Sequence, residues 1–135
     1  KEGAKAVADE MLPKLLCPTS HRTKPALVKQ VRGIITSTQV SGVVGDLMAI
    51  AERPDSVALL KEITCPTLVL VGEEDVLTTP EENKRIAEAI RGAKFQIIQA
   101  AGHISNMEQP ETFNRAVRLF LETIEPPGAG HEARG

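Results

Sequence analysis

Thr67-Leu68-Val69-Leu70-Val71 is a continuous apolar run with β-branched content, closed by Pro66 on one side and Gly72 on the other. A strand of this kind is covered on both faces, which is the setting of a parallel sheet. Next comes Thr79-Pro80-Glu81-Glu82: a cap residue, a proline at the first helical position and a glutamate three beyond the cap. That pattern predicts a helix running to about Arg91 and stopping at Gly92. Phe95-Gln96-Ile97-Ile98 reads as a second strand. Pro110 then opens a last helix, whose Phe113, Ala116, Val117, Phe120, Leu121 and Ile124 share one face. A strand joined through a helix to a second strand is the right-handed crossover of a parallel α/β sheet. Two strands alone do not make a stable sheet, so the run at 67–71 requires further strands or another chain to cover it.

The first half has a different texture. Apolar residues recur at three and four positions in three stripes: Ala4, Val7, Ala8, Met11, Leu12 and Leu15; Leu27, Val28, Val31, Ile34 and Ile35; Val40, Val43, Val44, Leu47, Met48 and Ala51. Each predicts a helix with one apolar face. Pro18, Pro25 and Pro54 punctuate these segments, with Pro25 suited to a first helical turn and Arg53-Pro54-Asp55 to a boundary before a short helix at 56–60. Residues 1–62 thus form a helical segment and residues 63–124 a strand-helix-strand-helix segment. Residues 125–135, with no apolar periodicity, read as a solvated tail.

Composition narrows the function classes. The net charge is −2, and no basic stripe accompanies interleaved aromatics; nucleic acid is therefore not an expected ligand. With no Trp, no Tyr and three Phe, the core must be aliphatic and stacking platforms are lacking. Cys17 and Cys65 lie far apart and outside any metal-ligand spacing, which predicts free thiols and suits a reducing cytoplasm. No apolar run approaches the ~20 residues of a membrane span, and Lys1 begins neither a signal peptide nor an ordinary translated start. The start reads as a cut or processed end.

The chemistry-bearing residues stand at the ends of the two strands. Asp75 follows the first after a glycine turn, and His103 follows the second after Gly102. Catalytic groups of open α/β sheets gather at these carboxyl ends. Adjacent parallel strands lie about 4.8 Å apart, so a carboxylate and an imidazole on neighbouring loops come within hydrogen-bonding reach. In that arrangement Asp75 accepts the Nδ1 proton and Nε2 is left to deprotonate a nucleophile. Taken singly, an Asp after a strand can serve a turn, and a His after Gly can cap a loop.

The whole pattern, C-P-T-L-V-L-V-G-E-E-D-V-L-T-T-P followed by A-G-H-I-S-N-M-E-Q-P-E and an amphipathic helix, closely resembles the C-terminal part of the α/β-hydrolase superfamily over about residues 60–122. The resemblance implies an α/β fold in which a helical cap precedes the last two parallel strands of the hydrolase core. It implies that Asp75 is the catalytic acid, with Glu73 and Glu74 as rivals, and that His103 is the catalytic histidine. Residues 1–60 resemble the cap of esterases similar to 3-oxoadipate enol-lactonases. In such a cap Met11, Leu15, Ile34 and Met48 would either face substrate or pack the helices together. The implied reaction is hydrolysis of a small ester or lactone, with no cofactor and no metal.

The chain departs from that family in one respect. The nucleophile of the family sits in G-x-S-x-G, and no such motif occurs here; Ser37, Ser41 and Ser105 lack the flanking glycines. The family's chain order puts the nucleophile before Lys1, in a missing N-terminal half that is then the chain's natural partner. The chain alone is expected to be inactive, and the exposed strand edge is expected to drive self-association. The alternative is a hydrolase-like module that binds a ligand or partner without turnover. Dehalogenases, C–C bond hydrolases and cofactor-free oxygenases carry similar acid and histidine loops. His21 and His131 read as solvated, the acids at 73–75, 81 and 82 as helix-start carboxylates rather than a cation site, and Gly42-Val43-Val44-Gly45 as a close helix contact rather than a phosphate loop.

Overall fold

The computed structural model describes residues 3–124; the expected tail, with His131, lies outside the described residues. Four helices come first: α1 (Gly3–Leu15), α2 (Pro18–Thr23), α3 (Pro25–Ser37) and α4 (Val40–Glu52), followed by a 3-10 helix at Val57–Glu62. β1 (Leu68–Gly72), α5 (Pro80–Ala89), β2 (Lys94–Ile98), the short α6 (Ser105–Glu108) and α7 (Pro110–Glu122) complete the order. The strand-helix-strand-helix order read from the sequence is present, with boundaries shifted by one or two residues.

β1 and β2 are parallel, with Leu68 opposite Lys94 and Gly72 opposite Ile98. α5 is the crossover and packs against both strands, as does α7. The start of α5 is fixed reciprocally: the Thr79 hydroxyl accepts from the Glu82 N–H, and the Glu82 carboxylate accepts from the Thr79 N–H at 2.8 Å. A cap of this kind is worth about 1 kcal/mol. It also fixes where the loop from β1 must end, leaving only residues 73–78 between strand and cap.

The best-buried apolar cluster of the helical half is Leu12, Leu16 and Val31, surrounded by Leu15, Leu27, Val28 and Ile35. Ile104 and Met107, from the segment after β2, pack into the same cluster. Each such buried side chain contributes about 1.5 to 3 kcal/mol. The helical half and the histidine-bearing segment therefore share one core, where the sequence reads as two successive layers.

Some apolar surface stays open. Val44, Leu47, Met48 and Ile50 of α4 are exposed, as are Leu121 and Ile124, which the sequence places on the inner face of α7. Among the described residues β1 is paired along one edge only. Gly45 would meet nothing within 4 Å if it carried a side chain, so the expected close helix contact there is absent. Cys17 is buried, Cys65 is exposed, and both are free thiols. Among the described residues no single helix is long and apolar enough to cross a membrane.

Candidate active site

β1 ends at Gly72, and the turn that follows is laced to the loop after β2: the Glu73 N–H donates to the Ile98 carbonyl and the Glu74 N–H to the Ala101 carbonyl, both at 2.9 Å. The turn then wraps around the Asp75 carboxylate. Oδ1 accepts from the N–H groups of Leu77 (2.9 Å) and Thr78 (3.0 Å), and Oδ2 accepts from the Thr78 hydroxyl at 2.8 Å. Asp75 is 5% exposed. Aspartate forms such local turns because its short side chain reaches backbone donors two and three residues on.

His103 Nδ1 lies 3.0 Å from Asp75 Oδ2 and 3.2 Å from Oδ1. Together with the Leu77 and Thr78 donors this fills the acceptor sites of the carboxylate. Burial is the largest single influence on Asp75 and raises its pKa. The hydrogen bonds from the Thr78 N–H, His103, the Thr78 hydroxyl and the Leu77 N–H together outweigh it and hold the carboxyl below the usual aspartate range. A carboxylate held ionised can only accept, so Nδ1 carries the proton and the imidazole is set in one tautomer. Thr78 Oγ1 stands 3.4 Å from the same Nδ1 and closes the small network.

The two rival acids are elsewhere. Glu73 accepts from the Ala100 N–H at 3.2 Å, and Glu74 is exposed without a bond to His103. Glu73 thereby steadies Ala100, the one non-glycine residue with positive φ (+52°) among those described. The Ala100 carbonyl in turn accepts from Gln109 Nε2 at 2.9 Å and from the Cys17 thiol at 3.5 Å.

A buried acid unforeseen in the sequence lies on the other side of the histidine loop. Glu108 has no exposed surface; Oε1 accepts from the Cys17 N–H at 2.9 Å and Oε2 from the Gly102 N–H at 2.6 Å. Two backbone amides 85 residues apart in sequence leave no periodic or local signal, and an acid two residues before a proline reads as surface. Thr78 was equally hidden, since its role depends on how the turn closes. His21, expected to be solvated, is half-buried with Nε2 3.0 Å from the Leu12 carbonyl. No group of three or more His, Cys, Asp or Glu side chains placed to hold a metal occurs among the described residues.

A groove of about 430 Å³ between α1, α3 and α4 brings together Met11, Leu15 and Ile34 with Val7, Val43 and Leu47. Met48 does not line it and is 58% exposed. Leu15 also belongs to the histidine side, because its carbonyl accepts from the Ile104 N–H at 3.3 Å. The groove therefore reaches the residue next to His103 through one shared position.

The parallel strands, the helical layer before them and the acid–histidine pair at their carboxyl ends define an α/β-hydrolase fold, specifically its C-terminal part. The chain belongs to the TAP-like protein family, whose model matches residues 49–133. It is 27% identical over 122 residues to 3-oxoadipate enol-lactonase 2 of Acinetobacter baylyi, covering 90% of this chain and 45% of that protein. Among solved structures, a thermophilic esterase from Thermogutta terrifontis superposes with a TM-score of 0.90 at 40% identity, over 93% of this chain and 46% of that one. The enol-lactonase from Burkholderia xenovorans does so with a TM-score of 0.85 at 30% identity, over 90% and 46%. The chain thus spans a little under half the length of these relatives.

Proposed function

We propose that this chain supplies the acid, Asp75, and the proton-transferring base, His103, of a nucleophile–His–Asp triad that hydrolyses a small ester or lactone, with the nucleophile contributed from upstream of Lys1. The observation that carries the reading is the imidazole itself. Its Nδ1 is seated on a saturated, buried carboxylate, while Nε2 makes no hydrogen bond among the described residues. In this arrangement Nε2 takes the proton of an attacking hydroxyl as the new bond to the carbonyl carbon forms. Asp75 stabilises the resulting imidazolium, and Nε2 returns the proton to the departing alkoxide. Water then repeats the cycle to release the acid and free the nucleophile.

Support for that class of substrate comes from the relatives, which are named as an esterase and enol-lactonases, and from the apolar groove. Met11, Leu15 and Ile34 would contact the acyl portion there. Residues 1–62 serve as the cap and 63–124 as core; the partner is the other half of the fold, and the free thiols fit a cytoplasmic setting.

The nucleophile and the oxyanion donors account for most of the rate enhancement in such enzymes, so the chain alone should turn over p-nitrophenyl acetate no faster than buffer. Turnover abolished by His103→Ala in the isolated chain would overturn the upstream assignment. Reading the gene upstream of Lys1 tests the triad: G-x-S-x-G after an apolar strand supports it. Asp at the central position points to dehalogenase-type chemistry, and no elbow favours a binding module.

A further inference from the structure

We propose that Glu108 is a positioning residue that sets His103 by fastening its loop to the segment between α1 and α2; the inference rests on reading His103 as the proton-transferring base. His103 is fixed on both sides to the same short stretch, 15–17. On one side the Gly102 N–H donates to Glu108 Oε2, while Oε1 of that carboxylate accepts from the Cys17 N–H. On the other side the Ile104 N–H donates to the Leu15 carbonyl.

The approach is as close as backbone allows. A Cβ on Gly102 would stand 2.9 Å from the Cys17 nitrogen and 3.0 Å from the Leu15 oxygen, so only glycine admits this contact. Glu108 is itself held at its main chain: its N–H donates to the Ile104 carbonyl at 3.2 Å, and its carbonyl accepts from the Lys24 ammonium. Neither the Cys17 nor the Gly102 amide has a place in a helix or strand ladder. Both are buried positions, so removing the carboxylate strands two N–H groups away from water. Asp75 orients the ring of His103 through its side chain. Glu108 places the backbone from which that side chain extends, and it does so relative to the cap.

The test is long-range 15N–1H NMR of the imidazoles in the 135-residue chain, which reports the His103 tautomer, combined with amide hydrogen exchange. The wild type should show the Nδ1–H tautomer and slow exchange at Cys17 and Gly102. Glu108→Gln keeps one acceptor oxygen, so it should accelerate exchange by about tenfold or more at one of the two amides, the size of one charge-assisted hydrogen bond, and let the Nε2–H tautomer appear. Leu12→Ala serves as the comparison, because it destabilises the shared core while leaving both side-chain hydrogen bonds of Glu108 in place, and should leave the tautomer unchanged. Glu108→Gln retaining the wild-type tautomer and exchange rates overturns the proposal. So does a tautomer change of equal size in Leu12→Ala, which would mark a general loss of stability. If Glu108→Gln does not fold, the wild type decides: Cys17 and Gly102 amides that exchange rapidly overturn the tether. A wild-type His103 with the Nε2–H tautomer instead overturns the acid–histidine reading itself, even where the two amides are protected.

Discussion

A Cβ placed on Gly72 would stand 2.1 Å from the carbonyl oxygen of Gly102 and 2.4 Å from that of Ala101. The last residue of β1 and the residue before His103 therefore touch through backbone alone, and neither neighbour is a flexible side chain that can step aside. This contact sets the spacing at which the Asp75 turn and the histidine loop face each other. Gly72→Ala is expected to destabilise the chain by about 1–3 kcal/mol, the range for forcing atoms into filled space. Urea unfolding followed by circular dichroism measures it; an unchanged midpoint would show that the loop yields freely.

Ala100 presents the opposite case. Its φ of +52° lies in the left-handed region, and its N–H and carbonyl are both held by partners. A Cβ there costs about 1–2 kcal/mol, which a glycine avoids while loosening the unfolded chain. Ala100→Gly should be neutral or raise the unfolding midpoint. A clear loss of stability would mean that the methyl group packs more favourably than its backbone conformation costs.

Asp75 predicts the acid side of the stability profile. Its carboxyl is held below the usual aspartate range, so the folded state binds that proton less readily than the unfolded chain does. The stabilisation is fully present above the ordinary aspartate pKa and is lost as the pH falls through the depressed folded value. Urea midpoints measured from neutral pH downward should fall over that window in the wild type. They should fall less in Asp75→Asn, and parallel curves for the two proteins would rule the contribution out.

With a nucleophile-bearing segment present, Asp75→Asn should lower kcat by about 10⁴, as when the orienting acid of a serine-protease triad is disabled. Glu73→Gln and Glu74→Gln should stay within about threefold of the parent, since neither carboxylate reaches the imidazole. Steady-state hydrolysis of an activated ester separates the three acids. Equal losses at Glu74 and Asp75 would reassign the acid.

β1 has a partner on one edge only among the described residues, and the outer face of α4 leaves Met48 58% exposed. An unpaired strand edge beside open apolar surface favours self-association. Light scattering at ~100 μM, a concentration at which such surfaces associate, should give a mass above that of one chain. A monomer with a single cooperative thermal transition would contradict this.

The elements that declared themselves in the sequence were those governed by local rules. Leu68–Val71 is an apolar run, Thr79-Pro80-Glu81-Glu82 is a complete helix start, and Asp75 and His103 fall at strand ends where a topological rule places them. What stayed hidden depends on distant partners. α2 begins at Pro18 but continues through polar residues with no apolar repeat, and its cap is a cysteine thiol accepting from the Ser20 N–H. α6 has only four residues. Glu108 is defined by two amides from opposite ends of the chain, and Met48 points outward because α4 turns other residues of its stripe toward the groove. The helical period identifies a stripe, but it does not fix which edge of that stripe finds a neighbour.

The carboxylate shared between Cys17 and Gly102 also bears on recombination within the family. A chimaera that exchanges the helical half at 62, where chain order divides it from the strands, would take the Cys17 amide and the Glu108 carboxylate from different parents, and the grafted backbone would then have to arrive within hydrogen-bonding distance of that acid. A breakpoint scheme that moves 15–24 together with 100–109 keeps donor and acceptor in register and leaves the graft free to vary where α4 meets solvent.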